Sequence, residues 1–227
     1  MDYLERTRDG YDATAVEYAR RFHRHLDDKP VELAMLSAFA GLVKATGRPA
    51  VADVGCGTGA TTAILHQLGT SPTGIDLSSN MIAEARRLNP QLPFHVGTMT
   101  GLDLAEGSVG GVCAWYSTIH VPDDDLAQVF AEFGRVLIPG GIALLAFQVG
   151  DHPLHLTEAF GVSVDVEYHR RRPESVEAML SAAGLLPYVR TVRDADDDGL
   201  ESTPQAFLLA RKGSALSVPA PRGTLYS

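Results

Sequence analysis

The stretch VADVGCGTGA, Val51 to Ala60, puts three glycines within five positions directly after a run of strand-forming residues. A strand that turns at once into a helix leaves unpaired N–H groups at the helix N-terminus. Glycine lets a ligand reach that backbone with no side chain in the way. The stretch therefore predicts a small-molecule pocket where a strand meets a helix. Asp53 stands two residues before Gly55, the first of the three glycines, and Asp76 follows about 20 residues further on, near the distance at which an acid takes ribose hydroxyls.

The segment from Gly55 through Gly57 and Gly59 to Ala60 also satisfies the dinucleotide form G-x-G-x-x-G/A, so two ligand classes compete, and both place Asp76 on a ribose. Asp53 bears on the choice. A carboxylate beside the turn raises the cost of seating a pyrophosphate, whereas a ligand bearing an ammonium and a sulfonium gains from the same charge. On that argument the acid favours S-adenosylmethionine over a nicotinamide cofactor. The structural alternative is that Asp53 only caps the turn and the glycines only permit tight packing.

The rest of the chain supplies the frame. Tyr11, Ala15, Tyr18, Phe22 and Leu26 fall at helical spacing, and Pro30 opens a second helix through Leu33, Leu36, Phe39 and Val43 that stops at Gly47. From Pro49 short apolar runs alternate with helical patterns: AVADV, then 61–68; TGIDL, then 80–88; FHVG; VGGVCAWY, then 124–137; GIALLAFQV. That alternation predicts an α/β fold with a mostly parallel sheet and helices on both faces. Further on, VSVDVEYHR alternates, 173–183 is helical with Gly184 as its stop, and LLPYVRTVR and PQAFLLARK flank an acidic loop, DADDDGLES. The last two runs predict an antiparallel pair that completes a seven-stranded sheet. Residues 214–227 carry little apolar content and two prolines, which predicts a flexible tail.

The segments VADVGCGTGATT, GIDLSSNMIAEAR, FHVGTMTGLDL and AEFGRVLIPGGIALLAF, in this order and separation, resemble the class I, Rossmann-like S-adenosylmethionine-dependent methyltransferases, especially the small-molecule group. The resemblance implies one domain over 1–213, with a helical cap (1–47), a cofactor-binding half (49–149) and a substrate lid region (150–172). It implies that Gly55, Gly57 and Gly59 line the methionine part of the cofactor, that Asp53 sits near its ammonium directly or through water, and that Asp76 takes the ribose hydroxyls. Leu77 and Met81 would pack near the adenine. Two positions depart from the commonest pattern. Thr98 and Met99 follow Gly97 where an acid usually accepts from the adenine amino group, and Gly110 and Gly111 occupy the start of the fourth strand, where an aspartate is frequent.

The acceptor side is read from placement. His120 falls at the carboxyl end of the fourth strand, the edge where open parallel sheets carry their sites, and is a candidate general base; otherwise it caps the turn before Pro122 or packs against the fourth-strand loop. Trp115 is a wall of the cofactor pocket or core. In the resembling enzymes the N-terminal helix closes over the cofactor, which places Tyr11 at the cofactor; Tyr18 borders the substrate or faces the core. Tyr116, Gln148, His152 and Tyr168 are the remaining substrate candidates. Asp151, His152, His155 and Glu158 are all possible metal ligands, but Pro153 breaks any regular helical face, so no metal is expected.

Composition closes off other classes. A net charge of −9 and a pI near 5.3 repel phosphate backbones, and the run Arg170 to Arg172 is too short to reverse that, so no nucleic-acid partner is expected. The N-terminus has neither a signal core nor a membrane span, and Cys56 and Cys113 sit in apolar contexts, which predicts a reduced, cytoplasmic protein, a monomer or homodimer. The expected activity is methyl transfer from S-adenosylmethionine, with S-adenosylhomocysteine as product, to O or N of a small acceptor. A non-catalytic S-adenosylmethionine-binding regulator and an NAD(P)-dependent oxidoreductase are the alternatives.

Overall fold

A computed structural model describes residues 2–197 and 199–213; the segment 214–227, expected to be flexible, lies outside the described residues. Two helices, α1 (Tyr3–Phe22) and α2 (Pro30–Ala45), precede β1 (Ala50–Val54). Then follow α3 (Ala60–Gln67), β2 (Ser71–Asp76), α4 (Ser79–Leu88), β3 (Phe94–Val96), β4 (Val109–Trp115), α5 (Asp123–Val136) and β5 (Leu137–Gln148). The chain continues through β6 (Leu154–Ala159), β7 (Val162–Tyr168), α6 (Pro173–Ala182), β8 (Leu185–Arg193) and β9 (Gln205–Lys212).

Seven strands form one sheet in the order β3-β2-β1-β4-β5-β9-β8. Strands β1 to β5 pair in parallel, and β9 runs antiparallel to both of its neighbours, so it alone is reversed. The order reverses direction at β1, where the chain crosses from the β2 side to the β4 side, and ligands of open α/β sheets bind in the crevice at the carboxyl ends of such strands. The central strands are buried on both faces, which is why β4 and the end of β5 read as continuous apolar runs. Phe130, Phe133, Leu126 and Val129 of α5 fill one face and Leu36, Phe39 and Val43 of α2 the other. Gly110 and Gly111 belong to that packing: a Cβ at Gly111 would lie 2.6 Å from Val43 and 2.8 Å from Phe39, so the missing aspartate there makes room for α2.

The N-terminal helix differs from its sequence pattern at both ends. It begins at Tyr3, where Asp2 accepts from the Glu5 N–H and Glu5 accepts from the Asp2 N–H, a capping box that the apolar period does not register. It ends at Phe22; Leu26 is buried from a turn instead, because Asp27 and Asp28 oppose the negative end of a helix and Pro30 restricts the residue before it. In the region 150–172, β6 and β7 form a separate two-stranded hairpin packed on α1, outside the main sheet.

Candidate functional site

The three glycines of the turn do three different things. All take positive φ (72°, 53° and 80° for Gly55, Gly57 and Gly59), a region costly for other residues. A Cβ at Gly55 would lie 2.2 Å from Cβ of Ser117, whose hydroxyl donates to the Val54 carbonyl at 2.6 Å and so ties the ends of β4 and β1 together. At Gly59 a Cβ would meet the Phe94 ring at 2.7 Å. At Gly57 it would meet nothing within 4 Å, so this is the one glycine of the turn whose bare backbone faces open space.

Asp76, the last residue of β2, is built into the same turn. Its Oδ2 accepts from the Gly57 N–H at 2.8 Å and its Oδ1 from the Ser78 N–H at 2.9 Å. Burial raises its pKa, and those backbone N–H groups pull the other way, so the loop is shaped to hold an anion there. Each oxygen has a further lone pair with which to accept from a ligand hydroxyl.

Asp53 is a correction. It is fully buried, accepts from the Thr62 hydroxyl at 2.6 Å, lies beside the Cys113 thiol, and does not line the cavity. The inward-facing alternation of β1 carries its side chain under α3, so it braces the helix from behind, and its charge is not presented directly to a ligand. Burial pushes its carboxyl up to about 7. Gly59 likewise stands behind the cavity wall, packed on Phe94, and His152 is exposed in the bend before β6, away from the cavity. The other marked residues, Tyr11, Tyr18, Gly55, Gly57, Asp76, Leu77, Met81, Thr98, Met99, Trp115, Tyr116, His120, Gln148 and Tyr168, all line a single cavity of about 550 Å³, within the size range of small-molecule pockets.

One side of the cavity is closed by α1. Asp12 fastens it: Oδ1 accepts from the Ser78 hydroxyl at 2.5 Å and from the Asn80 N–H at 2.9 Å, while the Asn80 amide donates to the Asp12 carbonyl at 2.9 Å. The helix thus docks on the N-terminus of α4, beside Asp76. This brings the Tyr11 hydroxyl within 2.8 Å of Nε2 of His120. Nδ1 of His120 lies 3.0 Å from the Glu167 carbonyl, which can only accept, so the proton sits on Nδ1 and Nε2 accepts from Tyr11. Burial lowers the imidazole pKa to about 4, and the ring is neutral near pH 7.

His120 sits in a short 3-10 turn, Thr118–His120, which Arg171 holds through the Thr118 and Val121 carbonyls and an ion pair to Asp123 at 2.7 Å. Tyr116 precedes this turn with φ 52°, a left-handed conformation that costs an aromatic residue of order 1–3 kcal/mol. At the far end of the cavity Arg193 bridges Glu32 and Glu201, and Lys29 pairs with Asp196 at 2.5 Å. Asp151 is bound by Arg172 and His155 pairs with Asp165, so two of the four possible metal ligands of the lid are engaged with separate partners.

Asp12, Ser117 and Arg171 are the positioning residues that sequence reasoning missed. Asp12 lies on the polar side of a helix and Ser117 in a loop, where nothing in spacing marks them. Arg171 was visible only as part of a basic run.

Residues 51–141 match the family model described as a methyltransferase domain. Demethylmenaquinone methyltransferase of Chlorobaculum parvum is 38% identical over 104 residues, 45% of this chain and 42% of the relative. The chain matches about 40% of the length of such curated relatives. Among solved structures, the complex of DhpI with S-adenosylhomocysteine aligns with a TM-score of 0.72 at 24% identity, covering 93% of this chain and 97% of that one. Magnesium protoporphyrin IX methyltransferase from Synechocystis PCC 6803 aligns at 0.69 and 16% identity, covering 94% and 98%. The sheet order and the matched segment agree: residues 51–141 resemble a methyltransferase domain, and the chain shares its fold with these solved structures.

Proposed function

We propose that this protein transfers a methyl group from S-adenosylmethionine to an O or N atom of a small organic acceptor. The observation that carries the reading is that Gly57, open to space, and Asp76, fixed by two backbone N–H groups, face one cavity that continues beneath α1 to an aromatic-lined end. These residues fit the cofactor: Asp76 would accept from ribose hydroxyls, the Gly57 backbone would lie along the methionine part, and Leu77, Met81 and Met99 would pack on the adenine beside Thr98. When bound, S-adenosylmethionine supplies an electrophilic methyl on a sulfonium.

The work left to the chain is positioning and exclusion of water. Displacement at a sulfonium neutralises charge, so a dry pocket that holds the acceptor in line does most of what is needed. Tyr11 and the β6–β7 hairpin close that pocket, while Trp115, Tyr116, Gln148 and Tyr168 border it. His120 is neutral, as a base must be, but its Nε2 is engaged by Tyr11. A proton leaving the acceptor would therefore pass through the Tyr11 hydroxyl, Tyr11 giving its own proton to Nε2. Because imidazolium is disfavoured in this burial, the route suits acceptors that need little help in losing a proton.

The argument from Asp53 against a dinucleotide falls away, because Asp53 does not reach the cavity; the match of residues 51–141 to a methyltransferase domain now weighs against that reading. We read the chain as one domain, with 1–47 as cap, 49–149 as cofactor half and 150–172 as lid. We take it to be cytoplasmic, a monomer or homodimer, with a small molecule and not a nucleic acid as partner. Among the described residues no helix is long and apolar enough to cross a membrane. Incubation with methyl-labelled S-adenosylmethionine and a metabolite panel tests the reading. Labelled product supports it, whereas binding without any turnover across the panel would favour the regulatory module.

A further inference from the structure

Beyond the cofactor end, the cavity has a character that the methyl-transfer reading leaves open. Its walls there are Tyr18 and Phe22 of α1 and Leu154, Leu156, Phe160 and Val164 of the hairpin. The rings form a run: Tyr18 and Phe22 have centroids 5.0 Å apart, and Phe22 and Phe160 6.1 Å apart, at distances suited to contact with another aromatic ring. Apart from Asp76, the charged residues lining the cavity among those described are three acids, Glu32, Glu158 and Glu201, and one lysine, Lys29.

The cations near this end are committed. Lys29 is paired with Asp196, and Arg193, behind the wall, carries Glu32 and holds Glu201 at 2.6 and 2.7 Å. Arg21 stacks outside on the Phe160 ring, 5.0 Å from its centroid, and pairs with Glu17. His25, the histidine beside Phe22 at this end, is held toward its neutral form by burial. An anionic acceptor entering here would meet acids that outnumber the cations and would have to break an existing pair to obtain a partner.

We propose that the acceptor is an uncharged, planar, largely apolar ring compound, seated between the aromatic face of α1 and the hairpin, and that carboxylate- or phosphate-bearing acceptors are rejected. This rests on the methyltransferase reading above and names the substrate class of the same site. Glu158, at the mouth on β6, and the paired Glu32 and Glu201 at the inner end set the rejection of anions. Phe22 and Phe160 set the preference for a ring.

The test uses the whole protein loaded with S-adenosylhomocysteine, at low ionic strength so that charge effects are not screened. Calorimetric titration compares naphthol with hydroxynaphthoate, which differ by one carboxylate. Naphthol is expected to bind at least about tenfold more tightly. Glu158→Lys should narrow that ratio several-fold, and Phe22→Leu should weaken naphthol several-fold while leaving S-adenosylhomocysteine binding unchanged. Equal or tighter binding of hydroxynaphthoate overturns the proposal, as does a ratio unmoved by Glu158→Lys. Failure of naphthol to bind a protein that does bind S-adenosylhomocysteine overturns it too. Failure to bind S-adenosylhomocysteine at all is a different result: it overturns the methyltransferase reading and takes this proposal with it.

Discussion

Alanine at each glycine of the turn separates the three jobs assigned to them. All three positions have φ between 53° and 80°, where a Cβ costs about 1–2 kcal/mol whatever the surroundings. Gly57→Ala adds nothing to that, because its Cβ points into open space. Gly55→Ala must also displace Ser117 from 2.2 Å and break its bond to the Val54 carbonyl, and Gly59→Ala must shift the Phe94 ring from 2.7 Å. Overpacking of this kind costs a further 1–3 kcal/mol or so. Thermal unfolding should therefore rank Gly57→Ala as the mildest, with a Tm loss of roughly 2–8 °C, and the other two as about twice as severe. Calorimetry with S-adenosylhomocysteine should give the opposite order for the mildest variant: Gly57→Ala folds but binds at least about tenfold more weakly, because the methyl group occupies the place of the ligand. Normal binding by a folded Gly57→Ala protein would put the ligand elsewhere, and unchanged stability of Gly55→Ala would show that the close approach to Ser117 is not there.

Two further expectations concern titration. Asp53 is raised from 3.8 to about 7, so between those values the folded protein keeps a proton that the unfolded chain has lost, and stability falls as pH rises through that window, by up to about 4 kcal/mol at 1.36 kcal/mol per unit. Asp53→Asn should gain on the wild type in Tm from pH 4 to pH 8; a difference constant with pH would refute the assignment. His120, lowered to about 4, should show by NMR an imidazole that stays neutral until pH falls through about 4, and activity should fall on the acid side only there; a midpoint near 6.5 would contradict the buried Tyr11–His120 pair.

What the sequence made legible was local. The strand–turn–helix at Val51 to Ala60 and the acid at the end of β2 announce themselves because glycine spacing and strand period are properties of neighbouring residues. The parallel sheet followed from the same alternation. The lid hairpin was half visible: β7 alternates, but β6 is mostly exposed along its length and only Leu154 and Leu156 mark its inner face. Asp53 was misplaced because spacing fixes that an acid precedes the turn and not which way its side chain points; burial on an inner strand decided that. Tyr11 and His120, 109 residues apart, were each singled out, but their hydrogen bond depends on α1 docking through Asp12, a contact between distant segments that no local pattern encodes.

The central claim, that Gly57 and Asp76 seat S-adenosylmethionine, is tested most directly by equilibrium titration of the purified protein with S-adenosylhomocysteine and, separately, with NADH. The predicted result is one site per chain for S-adenosylhomocysteine, weakened about tenfold or more in Asp76→Ala through loss of charge-assisted hydrogen bonds, and no saturable binding of NADH. Binding of NADH in place of S-adenosylhomocysteine, or an Asp76→Ala protein with undiminished affinity, would contradict the account.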